Sequence, residues 1–275
     1  MVFICKALIN SSLLLNEKGI GGFMTKFYGL VCMALFSPVI FAGSLYQPGD
    51  SWHGIVGLGV LFRAEPYEAI DNRILFLPHM IVRRGNFFIE GLEAGYRVAE
   101  GAQGHFDLIL TPRLDGYDAD EHALLKGMAD RDFSLDGGIA TTWREGPFEF
   151  KLSAVTDLLH KSEGEEVTVS VGNTYILTGK MTILTPSIGV RWQNEELVNY
   201  YYGVNGREAR ATRSAYTGEA TLNYIAAINA TYSLSKRSTL FAAVEYERLG
   251  DDIYDSPLVD KDQIISVFLA YGWQF

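Results

Sequence analysis

Large apolar side chains alternate with small or polar ones along much of this chain, and the pattern is clearest at the carboxyl end. Every second position from 265 to 275 holds a large apolar or aromatic residue: Ile265, Val267, Leu269, Tyr271, Trp273 and Phe275. Successive side chains of a strand point to opposite faces. The segment is therefore predicted to be a strand with one apolar face and one face of small or polar residues.

The same two-residue period recurs in segments of about ten to fourteen residues, the length that a tilted strand needs to cross a membrane. After position 42 no stretch approaches the roughly 18 apolar residues of a membrane helix. The period predicts strands at 52–62, 73–83, 87–98, 104–113, 133–143, 148–158, 164–176, 181–193, 217–232, 237–248 and 262–275.

A soluble sandwich or barrel would show the same alternation, so other features must separate it from a membrane barrel. Aromatic residues lie near the predicted strand ends, as Trp143, Trp192 and Tyr232 do, which is typical of the two membrane interfaces. An aromatic residue at the last position has no rationale in a soluble fold. We interpret Tyr271, Trp273 and Phe275 as the signal that the barrel-assembly machinery of a Gram-negative outer membrane reads.

The predicted fold is thus all-β, a transmembrane antiparallel β-barrel. Short turns are expected at 144–147, 177–180 and 233–236, and the long connections 114–132, 194–216 and 249–261 fall together on the outer side. Eleven strands would leave the amino terminus outside the cell, so one strand before about residue 100 must have been missed or wrongly split. We favour twelve strands, with ten as the alternative.

The amino-terminal part predicts export. From Met24 the chain has Lys26, an apolar run and then small residues up to Ala42, which together indicate a cleaved signal peptide at 24–42. Segment 1–23 fits an over-extended start, and 43–275 is expected to form one barrel domain. Cys5 and Cys32 both precede the predicted cleavage, so a disulfide framework or a cysteine metal site is not expected.

Charge narrows the range of partners. The full chain has 23 basic and 33 acidic residues, and removing 1–42 leaves 20 basic and 32 acidic ones. Such an excess of negative charge argues against nucleic acid as a partner. No sequence motif calls for a cofactor, and none is expected.

The polar face of the predicted strands gives the lumen of the barrel. Both signs occur there, and charges in a narrow interior are expected to pair because an unpaired buried charge is costly. The predicted ion-pairing residues are Glu93, Arg97, Asp107, Arg113, Arg191, Glu245 and Glu247. We favour a plugged interior over a small cation-tolerant passage.

Two outer segments are candidates for contact with other molecules. The loop at 194–216 contains Tyr200, Tyr201, Tyr202, Arg207 and Arg210, and tyrosine and arginine dominate contact hot spots. This loop could bind a partner or lipopolysaccharide phosphates, or fold inward and occlude the mouth, which we favour. Only His122 and His160 are expected on the outer side, and the acidic run before His122 could bind a divalent cation or form a carboxylate-histidine pair of a hydrolase, although a solvated acidic loop is the commoner explanation.

Several segments resemble the MltA-interacting protein (MipA/OmpV) family of outer-membrane proteins. These are GYDAD at 116–120, LLKGMADRDFSLDGG at 124–138, YYGV at 201–204, AY at 215–216 and SPLVDKD at 256–262. They occur in the family's order from about residue 50 to Phe275.

The resemblance implies an outer-membrane scaffold in contact with membrane lipid and lipopolysaccharide. In this family such a scaffold links a murein-cleaving lytic transglycosylase to a murein synthase, and the resemblance supplies no catalytic residues. A narrow porin or a surface adhesin is the alternative, and an outer-membrane hydrolase is a more distant one.

Overall fold

The computed structural model of the protein describes residues 51–70, 72–177 and 182–275. The predicted signal peptide, the segment before it and most of the predicted turn at 177–180 lie outside these residues. Strand segments dominate the described chain: β1 His53–Ala64, β2 Asn72–Arg84, β3 Phe87–Glu90, β4 Glu93–Gly101, β5 Gly104–Arg113, β6 Ser134–Glu145, β7 Phe148–Asp157, β8 Glu165–Asn173, β9 Tyr175–Leu177, β10 Thr182–Gln193, β11 Thr221–Ser233, β12 Ser238–Arg248 and β13 Gln263–Gln274.

The strand segments form one closed antiparallel sheet. Consecutive segments pair with each other except β8 and β9, which both pair with β10, and the pairings of β1 with β13 and of β10 with β11 complete the circle. The segments β8 and β9 pair with two halves of the same strand, β10, so they are one barrel strand interrupted at Thr174. Pro186 of β10 lies opposite this interruption, where no N–H is needed for pairing. Twelve strands therefore close the described barrel, which confirms the favoured number.

The prediction of a single strand at 87–98 was wrong. The structure folds this segment as a hairpin of β3 and β4, in which Phe87 pairs with Tyr96 and Glu90 with Glu93. Gly91 allows the tight reversal because its φ of 66° lies in the left-handed region. The alternation continues unbroken through so short a turn, so the period alone did not reveal it.

The alternation sorts side chains between lipid and lumen. Phe76 is 85% exposed, and Leu58 is 77% exposed, on the outside of the wall. The inward face instead carries polar residues such as Asp136 and Asn223, which are 2% and 1% exposed. An apolar outer face and a polar interior are what a membrane barrel requires.

Short and long connections segregate to opposite ends of the barrel. On one side β6 passes to β7 through residues 146–147, and β11 passes to β12 through 234–237. The other side carries the outer loops, of which the first (65–71), third (114–133), fifth (194–220) and sixth (249–262) matter below. This distribution matches short periplasmic turns and long extracellular loops.

Two short helices lie in the outer loops, and the sequence pattern did not predict them. Helix α1 spans Glu195–Tyr202 in the fifth loop, and α2 is one turn at Asp251–Tyr254 in the sixth. No helix in the described part of the chain has the length and apolar character that crossing a membrane requires.

Candidate functional site: a capped and ion-paired lumen

The four long outer loops pack together over the mouth of the barrel, and we call this structure the cap. Its interior is a buried apolar cluster rather than a solvated surface. The cluster consists of Tyr67, Tyr117, Leu125, Met128, Leu197, Val198, Tyr201, Tyr202, Val204, Leu249, Ile253, Leu258 and Ile264. Since every long loop contributes to one cluster, the loops hold each other in place.

Tyr67 of the first loop lies at the centre of the cap. Its ring packs edge-on against Tyr117, with centroids 5.1 Å apart, and stacks on Tyr202 at 5.5 Å. The first loop also pairs with the sixth, because the Glu68 N–H donates to the Leu258 carbonyl at 2.9 Å. Burial raises the pKa of the Tyr67 hydroxyl well above its ordinary value, so the residue stays neutral.

Helix α1 places the tyrosines of the fifth loop. The Asn194 side chain accepts the Leu197 N–H at 3.0 Å and so caps the helix start. Leu197, Val198, Tyr201 and Tyr202 then recur at helical spacing and point into the cap. An Asn followed by two Glu is a helix start signal, but the segment 194–216 was predicted as a loop and the helix was not anticipated.

A buried carboxylate joins the third loop to the fifth. Glu208 is 5% exposed, and Arg131 donates to both of its carboxylate oxygens at 3.2 Å. Burial alone would raise the pKa of Glu208, but the amides of Ala129 and Asn205 and the Arg131 guanidinium lower it below its ordinary value. The carboxylate is therefore charged and paired, which fixes the two loops to each other.

Below the cap, arginines and acids from many strands cross the lumen. Arg113 of β5 donates to Asp136 of β6 at 2.8 Å and to Glu166 of β8 at 3.0 Å. Arg191 of β10 continues the chain, at 3.4 Å from Glu166 and in contact with Glu247 of β12. The pairs connect β5 to β8 and β10 to β12, so they bridge strands that are not neighbours and pair many of the charges inside the lumen.

The network also reaches the cap through Asp115 of the third loop. Asp115 lies 2.7 Å from Arg63 of β1 and 3.5 Å from Arg113. Burial opposes its charge, but the two guanidiniums outweigh burial and hold the pKa of Asp115 at about 2, below its ordinary 3.8. Arg63 was not predicted as a lumen residue, because the first strand was expected to end at 62, although the alternation continues to it.

A second ion-paired group lies nearer the periplasmic end. Arg97 of β4 binds Asp107 of β5 through two hydrogen bonds, of 2.9 and 3.1 Å, and lies 3.3 Å from Glu100. Such a two-bonded arginine and carboxylate pair is strong and directional. Glu93 faces the same lumen but forms no ion pair with any residue that the structure describes. Glu245 is 3.9 Å from Arg191, at the edge of contact.

A chamber of about 280 Å³ remains between the cap and the upper ion pairs. Charged side chains such as Arg63, Asp136 and Glu245 line much of the chamber. The apolar residues Leu61, Leu75 and Pro112 line one side of it.

The structure divides the predicted interaction loop. Tyr201 and Tyr202 are buried in the cap and are not available to a partner. Tyr200 is partly buried and packs on Tyr201 at 4.8 Å, whereas Arg207 and Arg210 are exposed on the outer surface.

The outer acidic run does not form a metal site. His122 is exposed, and its Nδ1 accepts the Leu124 N–H at 3.3 Å. The neighbouring Glu121 is paired with Arg73 at 3.4 Å. In the ranges that the structure describes, no group of three or more His, Cys, Asp or Glu residues is placed to hold a metal ion.

The carboxyl-terminal strand carries its aromatic side chains on the lipid side. Tyr271, Trp273 and Phe275 are all about half exposed, and the Phe275 N–H donates to the Gly54 carbonyl at 3.1 Å. The last residue therefore closes the pairing of β13 with β1. Its role as an assembly signal stays a prediction.

A family model described as MltA-interacting protein MipA matches residues 56–275 of the chain. The chain belongs to this family. The MltA-interacting protein of Escherichia coli K12 is 26% identical over 222 residues, which cover 78% of this chain and 88% of that protein. The putative outer membrane protein YiaT of Escherichia coli O157:H7 is 24% identical over 224 residues, covering 80% and 90%.

Another relative of this MipA family member is the outer membrane protein OmpV of Vibrio cholerae serotype O1, 30% identical over 164 residues, which cover 59% of this chain and 63% of that one. Among solved structures, a NanC porin aligns with 80% of this chain and 100% of its own, at 10% identity and a TM-score of 0.42. The family, the names of the relatives and the closed barrel together identify an outer-membrane β-barrel protein.

Proposed function

We propose that this MipA family member is a closed scaffold of the outer membrane that binds murein-processing enzymes at its periplasmic end. The observation that carries the proposal is the capped and ion-paired lumen, which favours a structural barrel over a transport channel. One relative is named MltA-interacting protein, which supports a lytic transglycosylase as a partner. A murein synthase as second partner rests on the family resemblance alone.

Partners in the periplasm would have to contact the short turns. The turn after β4 and the turn after β6 lie side by side, and the Gln103 side chain in the first donates to Glu145 beside the second at 3.2 Å. Arg144 next to them pairs with Glu149 at 2.7 Å and is itself more than half exposed. These adjacent turns offer a polar surface of mixed charge, which suits a specific contact of moderate size.

Turn replacement tests this proposal. Residues 144–147 and 233–236 are exchanged for Gly-Ser sequences of equal length, and capture of a purified lytic transglycosylase is measured with the barrel in detergent. We expect capture to be lost while the mobility on unheated gels remains that of a folded barrel. The control changes Arg207 and Arg210 to Ser on the outer surface, which should leave capture intact.

Retention of full capture by the turn variant would contradict the proposal. The adhesin alternative makes the opposite prediction, because Arg207 and Arg210 are the part of the predicted interaction loop that remains exposed. Loss of binding to cells or lipopolysaccharide in that control variant alone would favour a surface role for the fifth loop.

A further inference from the structure

The barrel wall is incomplete in its outer half beside β2. Strand β2 pairs with β1 along 72–83, but it pairs with β3 only over 81–84. Its outer stretch, 72–79, has no second strand beside it among the described residues. This free edge is about 27 Å long at about 3.4 Å per residue.

The facing edge of the gap is the outer end of β5. Its pairing with β4 ends at Leu110, opposite Ala94, whereas 111–113 pair only with β6. The cause is the shortness of the β3 and β4 hairpin, which turns at 91–92 well below the outer ends of β2 and β5. Two strands are therefore missing from the wall at this height.

Both free edges carry a proline where a hydrogen bond donor would otherwise face the gap. The Met80 carbonyl accepts the Gly91 N–H at 2.7 Å, so the backbone groups of Met80 point toward β3. Backbone groups of successive residues point to alternate sides of a strand, so those of Pro78 and Phe76 point the same way as those of Met80, into the gap.

The free edge of β5 carries Pro112 in the corresponding position. The Arg97 N–H donates to the Asn86 carbonyl at 2.8 Å, so the backbone groups of Arg97 point toward β3. Backbone groups alternate along a strand, so those of Ala94 point the other way, toward its partner Leu110 on β5, and those of Leu110 point back toward β4. The backbone of Pro112, two residues after Leu110, therefore also faces the β4 side, but β4 does not extend that far. Proline has no N–H, and this removes a donor that would be costly to leave unpaired at a sheet edge in a membrane.

The gap is bounded above and below, so it is a window and not an open notch. Arg73 of β2 donates to the Gly116 carbonyl at 2.6 Å and lies 3.4 Å from Glu121, which ties the third loop across the top. Arg63 binds Asp115 of the same loop at 2.7 Å. The hairpin turn at 91–92 forms the lower margin.

The chamber beneath the cap lies directly behind this window. Leu75 and its partner Leu61 line the chamber from the β2 side, and Pro112 and Leu114 line it from the β5 side. Pro112 continues the alternation of the lipid-facing Leu108 and Leu110, and it also lines the chamber. Apolar residues therefore lie on the window side of the chamber, where they adjoin Arg113 and Asp115, and charged residues such as Glu166 and Arg191 line the far side.

The charges of the chamber favour a cation. Its lining contains three arginines and six acids, Glu65, Asp115, Asp136, Glu166, Glu245 and Glu247. Asp136 is 2% exposed, and its Oδ1 accepts no hydrogen bond from any described residue. A buried carboxylate oxygen without a donor favours a positively charged, hydrogen-bonding ligand.

We propose that the window is a lateral portal through which an amphiphile of the outer leaflet, with a cationic head group and one alkyl chain, enters the chamber. The head group lies among Asp136, Glu245 and the other acids, and the chain lies in the window against Leu75, Ile74 and Phe76. A volume of about 280 Å³ holds a head group but not a whole lipid. This site is separate from the periplasmic surface of the proposed scaffold.

Cysteine labelling tests the portal. The background is the full chain with Cys5 and Cys32 changed to Ser, reconstituted in phosphatidylcholine vesicles, and it carries either Leu75→Cys or the control Ile225→Cys. Both positions face the lumen, but Ile225 lies between β10 and β12 in a fully paired wall. We expect N-dodecylmaleimide dissolved in the bilayer to modify Leu75→Cys at least about tenfold faster, since reaching Ile225 requires paired strands to separate.

Protection experiments test the ligand class. Dodecylammonium, whose head group is cationic and donates hydrogen bonds, should slow the labelling of Leu75→Cys, and dodecyl sulfate at the same concentration should not. Adding Glu245→Gln, which removes one acid of the lining that is itself only loosely paired, should weaken this protection about fivefold.

Three outcomes would overturn the proposal. Equal labelling rates at the two positions would mean that the window is closed, and equal protection by the two detergents would exclude a cation-selective chamber. A Phe76→Cys variant that forms disulfide-linked dimers in the bilayer at high yield would show that a second copy of the chain covers the edge instead.

Discussion

Truncation of Tyr67 is expected to release the cap without unfolding the barrel. Tyr67 is 2% exposed, packs against two other tyrosine rings, and donates to the Tyr201 carbonyl at 3.4 Å. It belongs to the first loop, yet its contacts lie in the third, fifth and sixth loops. Tyr67→Ala therefore removes a side chain that contacts the third and fifth loops, whereas its pairing with Val259 of the sixth loop is made by the backbone.

The expected magnitude follows from these contacts. Truncating a buried aromatic residue to Ala costs about 3 to 5 kcal/mol, because both apolar burial and packing are lost. Tyr67→Phe removes only one long hydrogen bond, for which about 0.5 to 1.5 kcal/mol is expected. We expect the cap to open as a local unit, so these energies should change its opening equilibrium and leave the strands unaffected.

Amide hydrogen exchange of the reconstituted protein measures that equilibrium directly. In Tyr67→Ala, the amides of Val204 and Tyr216, which pair the two arms of the fifth loop, should exchange at least about a hundredfold faster. Tyr67→Phe should stay within about tenfold of the wild type. Phe76→Ala, on the lipid face of β2, is the matched aromatic control and should change nothing in the cap. Unchanged exchange of the fifth loop in Tyr67→Ala would refute the interpretation of the cap as one cooperative unit.

Two further predictions concern pH and assembly. The pKa of Asp115 is lowered from 3.8 to about 2, so its contribution is fully present above pH 4 and is lost as the pH falls toward 2. Hydrogen exchange or proteolysis of the third loop should accelerate across that window in the wild type, but an Asp115→Asn variant should already be accelerated at pH 5 and show a smaller change. Deleting Phe275 should leave unfolded chain in the periplasm, seen as loss of heat-modifiable mobility, because the closing pairing with Gly54 is removed; normal surface assembly of the truncated chain would contradict this.

The fold could be predicted from the sequence because the strands of a membrane barrel require apolar and polar side chains to alternate with a two-residue period. Every strand has one face in lipid, so Ile265, Val267 and Leu269 alternate with lumen residues without interruption. The parity argument from the position of the amino terminus also located the error correctly, before residue 100. Register and the β3 turn could not be predicted, since a turn at Gly91 preserves the alternation on both sides of it.

The cap could be predicted only in part. Tyrosines at 200–202 indicated an occluding loop, and burial of Tyr201 and Tyr202 agrees with that arrangement. The contacts of Tyr67 with Tyr117 and Tyr202 join loops that are far apart in sequence, and no local pattern encodes which loops meet. The same holds for Asp115 and Arg63, whose pairing depends on the third loop folding back across β1 and β2.

The window in the barrel wall could not be predicted from the sequence. Pro78 and Pro112 are visible in the sequence, where each is an apparent fault in a strand. Only the strand pairing shows that the backbone of each proline faces an edge where no neighbouring strand is present. A proline in a predicted membrane strand is thus a useful sign that the strand has a free edge at that position.

Single-channel recording tests the closed barrel most directly. The purified protein is inserted into a planar bilayer and compared with a variant in which 196–218 of the fifth loop are replaced by a short Gly-Ser linker. Insertion of both is verified by heat-modifiable mobility of the recovered protein. A capped and ion-paired lumen predicts little or no steady conductance from the wild type and measurable steps from the loop variant. Large and reproducible conductance steps from the wild type would contradict the closed barrel and favour a narrow porin.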